Sequence, residues 1–265
     1  MNPAYAYIYD DFLVDRRYQE ILDSLETKLA ALGLSGRIGR LTLFRNSKEL
    51  VEDFVAQGVK NIVLVGNDYT IDKVLWFLPD LPVTMGYIPL AEPWGMAGLL
   101  NIPTGLGACD ILSARLIESL DVGKLDDRYF LSEIIFENTT ATLALEGGYK
   151  VTLIQGGVLE IRNLGQASFD SAKLSDAQDG LLEAVITPRA GFKSGFFHKL
   201  RPAEKHETRI MFKAGSILSE QPMEGLADRF AISGFNFNVS VIPNRLKVIM
   251  GRKLAGYKTP NAGAN

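Results

Sequence analysis

The hydrophobic pattern changes character midway along the chain. In the first half, short apolar runs at 5–9, 61–66 and 83–88 fit strands buried on both faces of a parallel sheet, and 37–44 alternates loosely as another strand. Between them apolar residues recur at helical spacing. Ile21, Leu22, Leu25, Leu29 and Leu32 share one face of a helix over 15–32, with Gly33 placed to end it. Asn46-Ser47-Lys48-Glu49 reads as a capping box for a helix that stops at Gly58. Thr70 is placed as the N-cap of a helix over 71–78. A further helix is expected over 104–120, with Ile111, Leu112, Leu116 and Ile117 inward.

After about Leu125 helical periodicity stops. Strand-like stretches at 133–145, 149–155, 158–163, 180–187, 207–213, 234–242 and 246–250 are separated by turn signals, among them Gly147-Gly148 and Gly156-Gly157. The pattern therefore predicts an α/β domain with a parallel sheet over 1–125, then an all-β sandwich domain over 126–265 with a loose polar tail.

A parallel sheet collects ligands at the carboxyl ends of its strands. Three turns would meet there: Asp10-Asp11-Phe12, Gly66 to Thr70, and Pro89 to Trp94. The central one, Gly66-Asn67-Asp68-Tyr69-Thr70, joins an apolar strand to a helix start, the arrangement that holds phosphates, but it carries a single glycine. Thr70 reads as a helix cap. Asp68 reads equally as a cap and as a functional carboxylate. Asp10 and Asp11 read as a solvated loop pair.

Bulk composition narrows the classes. Apolar residues at 47% and charged residues at 22% are ordinary for a folded chain, and a net charge of -3 gives no global attraction to nucleic acid. The single Cys109 excludes an internal disulfide and reads as a small buried residue. With only two histidines, a dedicated zinc site is not expected. Residues 1–11 lack the basic start and apolar core of a signal peptide, and no uncharged apolar run reaches membrane-spanning length, so a cytoplasmic protein is expected.

The order and spacing of several short motifs resemble the diacylglycerol kinase and sphingosine kinase family, a relative of NAD kinases and phosphofructokinases. Val65-Gly66-Asn67-Asp68-Tyr69-Thr70 stands where the family has Gly-Gly-Asp-Gly-Thr. Ile88-Pro89-Leu90 opens its Pro-Leu-Gly-Thr-Gly-Asn-Asp motif, Leu100-Asn101-Ile102-Pro103 matches Leu-Gly-Ile-Pro, and Asp179-Gly180-Leu181-Leu182-Glu183 matches Asp-Gly-Leu-Leu-Asp. Val241-Ile242-Pro243 through Leu246-Lys247-Val248 resembles its last strands, the final one of which pairs back with the first domain.

The departures fall on the phosphate chemistry. Asn67 and Tyr69 replace glycines, and Ala91, Glu92, Pro93, Trp94 and Gly95 stand in place of Gly-Thr-Gly-Asn-Asp. Side chains there obstruct approach to backbone N–H groups, Pro93 has none to donate, and Glu92 with Asp10 and Asp11 adds negative charge. Each like-charge pair at about 4 Å costs roughly 1–4 kcal/mol. The family's Asp-Gly-Glu catalytic segment aligns with Asp228-Arg229-Phe230, keeping only the aspartate.

The resemblance implies an ATP- and Mg-dependent lipid kinase, with Gly66, Asn67, Asp68, Thr70 and Glu92 at the nucleotide and Asp228 as the base. The departures point instead to a degenerate member, a pseudokinase that binds lipid or another ligand. A non-catalytic interaction protein remains a third reading. One further stretch, 189–201, carries Arg189, Lys193, Lys199 and Arg201 with Phe192, Phe196 and Phe197 interleaved and no acid. It is expected to contact lipid or a membrane surface, against the alternative that its phenylalanines pack into the sandwich.

Overall fold

A computed structural model describes residues 5–42, 46–154, 156–165, 175–188 and 207–252. Strand β1 (Tyr5–Tyr9) is buried at every position, as its apolar run requires. Two 3₁₀ turns, Asp11–Val14 and Arg16–Tyr18, precede helix α1 (Gln19–Ala31), which therefore starts later than the expected residue 15. Asp15 is responsible. Its carboxylate accepts the Arg17 N–H and closes a separate turn. The α1 face bearing Leu22, Leu25 and Leu29 is buried, and Gly33 follows with φ +69°.

Then come β2 (Arg37–Arg40), α2 (Ser47–Ala56), β3 (Asn61–Gly66), α3 (Asp68–Leu75), β4 (Thr84–Pro89), and the short helices α4 (Gly95–Leu99) and α5 (Ala108–Ala114). Asn46 caps α2 by accepting the Lys48 N–H. Strands β2, β1, β3 and β4 are parallel neighbours in that order.

The helix expected over 104–120 is cut short. Arg115 takes a left-handed conformation with φ 51°, and the chain turns into β5 (Ile117–Leu125). Leu116 and Ile117, assigned inward on that helix, instead lie at the entry to a strand, and Leu116 is exposed. Antiparallel pairing of β5 with the last strand outweighs the local helical spacing.

The remaining strands are β6 (Arg128–Phe130), β7 (Glu133–Thr139), β8 (Thr142–Leu145), β9 (Lys150–Thr152), β10 (Gly157–Arg162), β11 (Leu182–Pro188), β12 (Thr208–Phe212), β13 (Ala214–Ala227) and β14 (Phe230–Ile249). The stretch read as one strand over 133–145 is two, and those read over 234–242 and 246–250 are one strand with an irregularity between Ile242 and Leu246. Gly147 and Gly148, with φ +85° and +83°, make the β8–β9 turn. The pairing is antiparallel throughout this half, and its strands enclose a second core from Phe130, Phe136, Leu143, Leu159, Leu182, Ile217 and Phe237.

Strand β14 joins the two patterns. It pairs antiparallel with β13 and β5, then parallel with β4 through Lys247–Thr84 and Val248–Met85. The last strand thus returns to the first sheet, and hydrogen bonding is continuous through β12-β11-β10-β7-β13-β14-β4-β3-β1-β2. Among the described residues no helix is long and apolar enough to cross a membrane.

Candidate functional site

The three turns at the carboxyl ends of β1, β3 and β4 do converge, and they are tied to one another. The Asp10 N–H donates to the Val65 carbonyl, the Leu90 N–H to the Gly66 carbonyl, and the Asp68 N–H to the Pro93 carbonyl. The Asn67 side chain reaches across 3.0 Å to the Glu92 carbonyl. Glu92 therefore takes part through its backbone, and its side chain is exposed.

Gly66 is required by close approach. A Cβ there would lie 2.1 Å from Thr70 Oγ1 and 3.0 Å from Asp10 Cβ. The space is used by a buried polar cluster. Thr70 Oγ1 accepts the Asn67 N–H at 2.9 Å and donates to Asp10 Oδ2 at 2.6 Å. Asn67, not Thr70, is the N-cap of α3, and Thr70 is the third residue of a helix that begins at Asp68. Asn67 can cap because its own backbone is extended, φ -137°, ahead of the buried Ile71, Val74 and Leu75.

Asp10 is not the solvated residue that its position beside Asp11 suggested: it is 1% exposed. Its carboxylate also accepts the Asp11 N–H at 2.7 Å and Lys73 Nζ at 2.6 Å. Burial pushes the Asp10 carboxyl up while Lys73 and Thr70 pull it down. Asp11, on the rim, is held at about 2 by the neighbouring Asp10 carboxyl and by Lys73. Burial pulls the Lys73 ammonium down, but the two aspartates outweigh it and leave it raised. Lys73 lies five residues beyond Asp68, at a spacing that does not single it out in the sequence.

Asp68 is wholly buried at the first turn of α3. It accepts the Tyr87 hydroxyl at 3.1 Å, the Met96 N–H at 3.2 Å and Arg229 Nη2 at 2.5 Å. Burial raises its carboxyl, and Arg229 with these donors opposes the rise. A Cβ at Gly95 would stand at ordinary contact distance from this pair, 3.4 Å from Arg229 and 3.5 Å from Asp68, so the pair does not itself require a glycine there.

Arg229 comes from the far half of the chain, in the two-residue turn between β13 and β14. Asp228 is the other residue of that turn, with φ 50°. Its carboxylate accepts the N–H groups of Leu131, Ser132 and Glu133 at 2.8, 2.7 and 3.1 Å. Burial pushes it up against the pull of these donors.

Asp72 was not anticipated. It lies one helical turn beyond Asp68, on the α3 face turned to Asp228 and Arg229, and its Oδ2 is buried without a hydrogen-bond partner. Burial, then the Asp228 and Asp68 charges, raise its carboxyl to about 7 against Arg229 and Arg128. The i, i+4 spacing of Asp68 and Asp72 was legible, but the turn facing them was not.

The aromatic and basic residues of 189–201 lie outside the described residues. Among the described residues no group of three or more histidine, cysteine, aspartate or glutamate side chains is arranged to hold a metal ion.

No family model and no curated protein matches this chain by sequence. Solved structures do match by shape. A diacylglycerol kinase from Bacillus anthracis strain Sterne superposes with a TM-score of 0.75 at 17% identity, covering 93% of this chain and 96% of that one. Two further structures from the same organism, assigned provisionally to that activity, give 0.74 and 0.73 at 16% and 15% identity. They cover 93% of this chain and 96% and 97% of their own. The chain has the diacylglycerol kinase-like fold: a parallel α/β half followed by an antiparallel β half.

Proposed function

We propose that this chain is a lipid-kinase-like protein that has given up ATP-dependent phosphoryl transfer and retains a lipid-binding role. One observation carries the reading: the turns that would cradle a triphosphate are closed on themselves. The N–H groups of Asn67, Asp68 and Leu90 are already donated within the protein. The Asp10 carboxylate occupies the pocket beside the start of α3 and neutralises Lys73, the nearest cation. A phosphate entering there would meet a buried carboxylate rather than free donors, at a cost of several kcal/mol. Mg-ATP does not fit these residues as they stand. The Asp228 carboxylate already accepts three backbone N–H groups, and these stabilise its ionised form and weaken it as a base for a substrate proton.

Calorimetric titration and thermal melting with Mg-ATP test this. The expected result is no saturable heat and no magnesium-dependent rise in Tm at millimolar nucleotide. A ligand at a hundred times its Kd would add about 2.7 kcal/mol and be plain in the melt. Such a shift, or phosphorylation of diacylglycerol that disappears in Asp228→Ala, overturns the reading. The segment 189–201, with four cations and three phenylalanines, supports peripheral attachment to anionic membranes. Co-sedimentation with anionic vesicles at low salt, lost when the four cations become Gln, is the expected outcome.

A further inference from the structure

Asp68 and Asp72 stand one turn apart on α3, and both face the β13–β14 turn. Asp68 is satisfied across that junction: Arg229 holds it from the turn, and it also accepts the Tyr87 hydroxyl. Asp72 is not. Its Oδ2 is buried without a hydrogen-bond partner.

We propose that Asp72 is a proton-operated latch between the two halves of the chain: neutral, it lets α3 close on the β13–β14 turn; ionised, it parts them. The inference holds whether or not the chain binds lipid.

The groups around Asp72 decide the sign. Facing it are Asp68 on its own helix, Tyr87 on β4, Arg128 on β6, and Asp228 and Arg229 on the turn. With Asp72 neutral, two carboxylates stand against two guanidinium groups. With Asp72 ionised, three stand against two, and the added charge rests beside a buried oxygen that nothing solvates. The closed geometry, with that oxygen unpartnered, therefore suits the neutral form. Asp228 cannot retreat from the repulsion, because three backbone N–H groups fix it to 131–133. Beyond the far end of α3, Asp80 is tied to Tyr129 and Arg245. Movement therefore falls on the turns of α3 that carry Asp68 and Asp72, and the Arg229–Asp68 pair gives way. Parting that pair opens Asp68 and Tyr87, both wholly buried, to solvent. The proton leaves the closed form at about 7 and the open form near the ordinary carboxylate value of about 4. Opening thus grows by up to about tenfold per pH unit between those values and is flat above them, up to about a thousandfold in all.

Hydroxyl-radical footprinting of the full chain, read by mass spectrometry, tests this. Tyr87 reports the junction, since its hydroxyl lies on Asp68. Tyr7, 2% exposed and bonded to the Leu34 carbonyl in the same sheet, reports the core. Tyr87 oxidation is expected to rise roughly threefold or more from pH 5 to pH 8 while Tyr7 stays constant. Asp72→Asn, which keeps the shape and loses the charge, should hold Tyr87 at its pH 5 level throughout. Asp228→Asn removes the largest like charge on Asp72, and should shrink the rise and end it at lower pH. No rise in the wild-type chain, a rise that survives in Asp72→Asn, or Tyr7 oxidation that climbs with Tyr87 overturns the latch. So does a wild-type pH profile in Asp228→Asn.

Discussion

Asp72 is where local stability and the structure disagree. A carboxyl whose pKa is raised on folding binds its proton more tightly in the folded state. Folding is then favoured at low pH and loses stability as pH climbs from the unfolded value near 4 to the folded value of about 7. Asp72→Asn removes the titration. It is expected to raise Tm by a few degrees at pH 8, on the order of 1 kcal/mol after allowing for solvent screening, and to change little at pH 5. Equal shifts at both pH values would mean that the side chain is solvated.

Gly66 lies at the opposite extreme, fixed by packing. Gly66→Ala places a methyl carbon 2.1 Å from Thr70 Oγ1 and 3.0 Å from Asp10 Cβ, so the Asp10–Thr70–Lys73 cluster must open. Chemical denaturation should report a loss of about 2–4 kcal/mol, the range for overpacking combined with a disturbed buried hydrogen bond. A loss under 1 kcal/mol would show that the turn is not closed by that cluster.

At the scale of elements, the β13–β14 turn connects the two ends of the site. Asp228 holds the chain at 131–133 through three backbone N–H groups, and Arg229 holds α3 through Asp68. Asp228→Ala leaves those N–H groups partly buried and unpaired, an expected loss of about 2–3 kcal/mol in denaturant unfolding. Asp228→Asn, with one acceptor oxygen in place of two, should lose less. A wild-type unfolding curve in the alanine variant would remove the structural role described for this carboxylate.

The sequence was informative about some elements and misleading about others, for physical reasons. The unbroken apolar runs of β1, β3 and β4 appear as parallel strands because burial on both faces leaves little else that they could be. Strand β13 escaped notice because few of its residues are buried and its middle, Glu220, Gln221, Pro222 and Glu224, is polar or proline and exposed, so it carries no regular alternation. Its place is dictated by β14, a partner a few residues on. Strand β5 was read as the end of a helix, since Leu116 and Ile117 continue a helical spacing that only the left-handed turn at Arg115 breaks. Within the site, the convergence of three strand-end turns was legible from topology. The Asp10–Thr70–Lys73 closure and the Arg229–Asp68 pair were not, because they join residues 60 to 161 positions apart through side chains that no spacing rule couples.

At the scale of the whole molecule, β14 decides how the chain unfolds. Its first half lies against β13 and buries Phe237 and Val239 in the second core, while Leu246, Val248 and Ile249 lie in the first. The β4 edge that β14 covers would otherwise expose unpaired backbone groups beside buried residues. Neither half holds its sheet complete without this strand, so the two cores are expected to melt together although their patterns differ. A single calorimetric transition with equal calorimetric and van't Hoff enthalpies is the expected result. A truncation ending at residue 229, which removes β14, should lose cooperative unfolding in both halves, with near-ultraviolet and far-ultraviolet dichroism no longer sharing one sharp transition. If the parallel half of that truncation still melts as sharply as in the intact chain, β14 is an accessory to the first sheet, and the two cores are energetically separate.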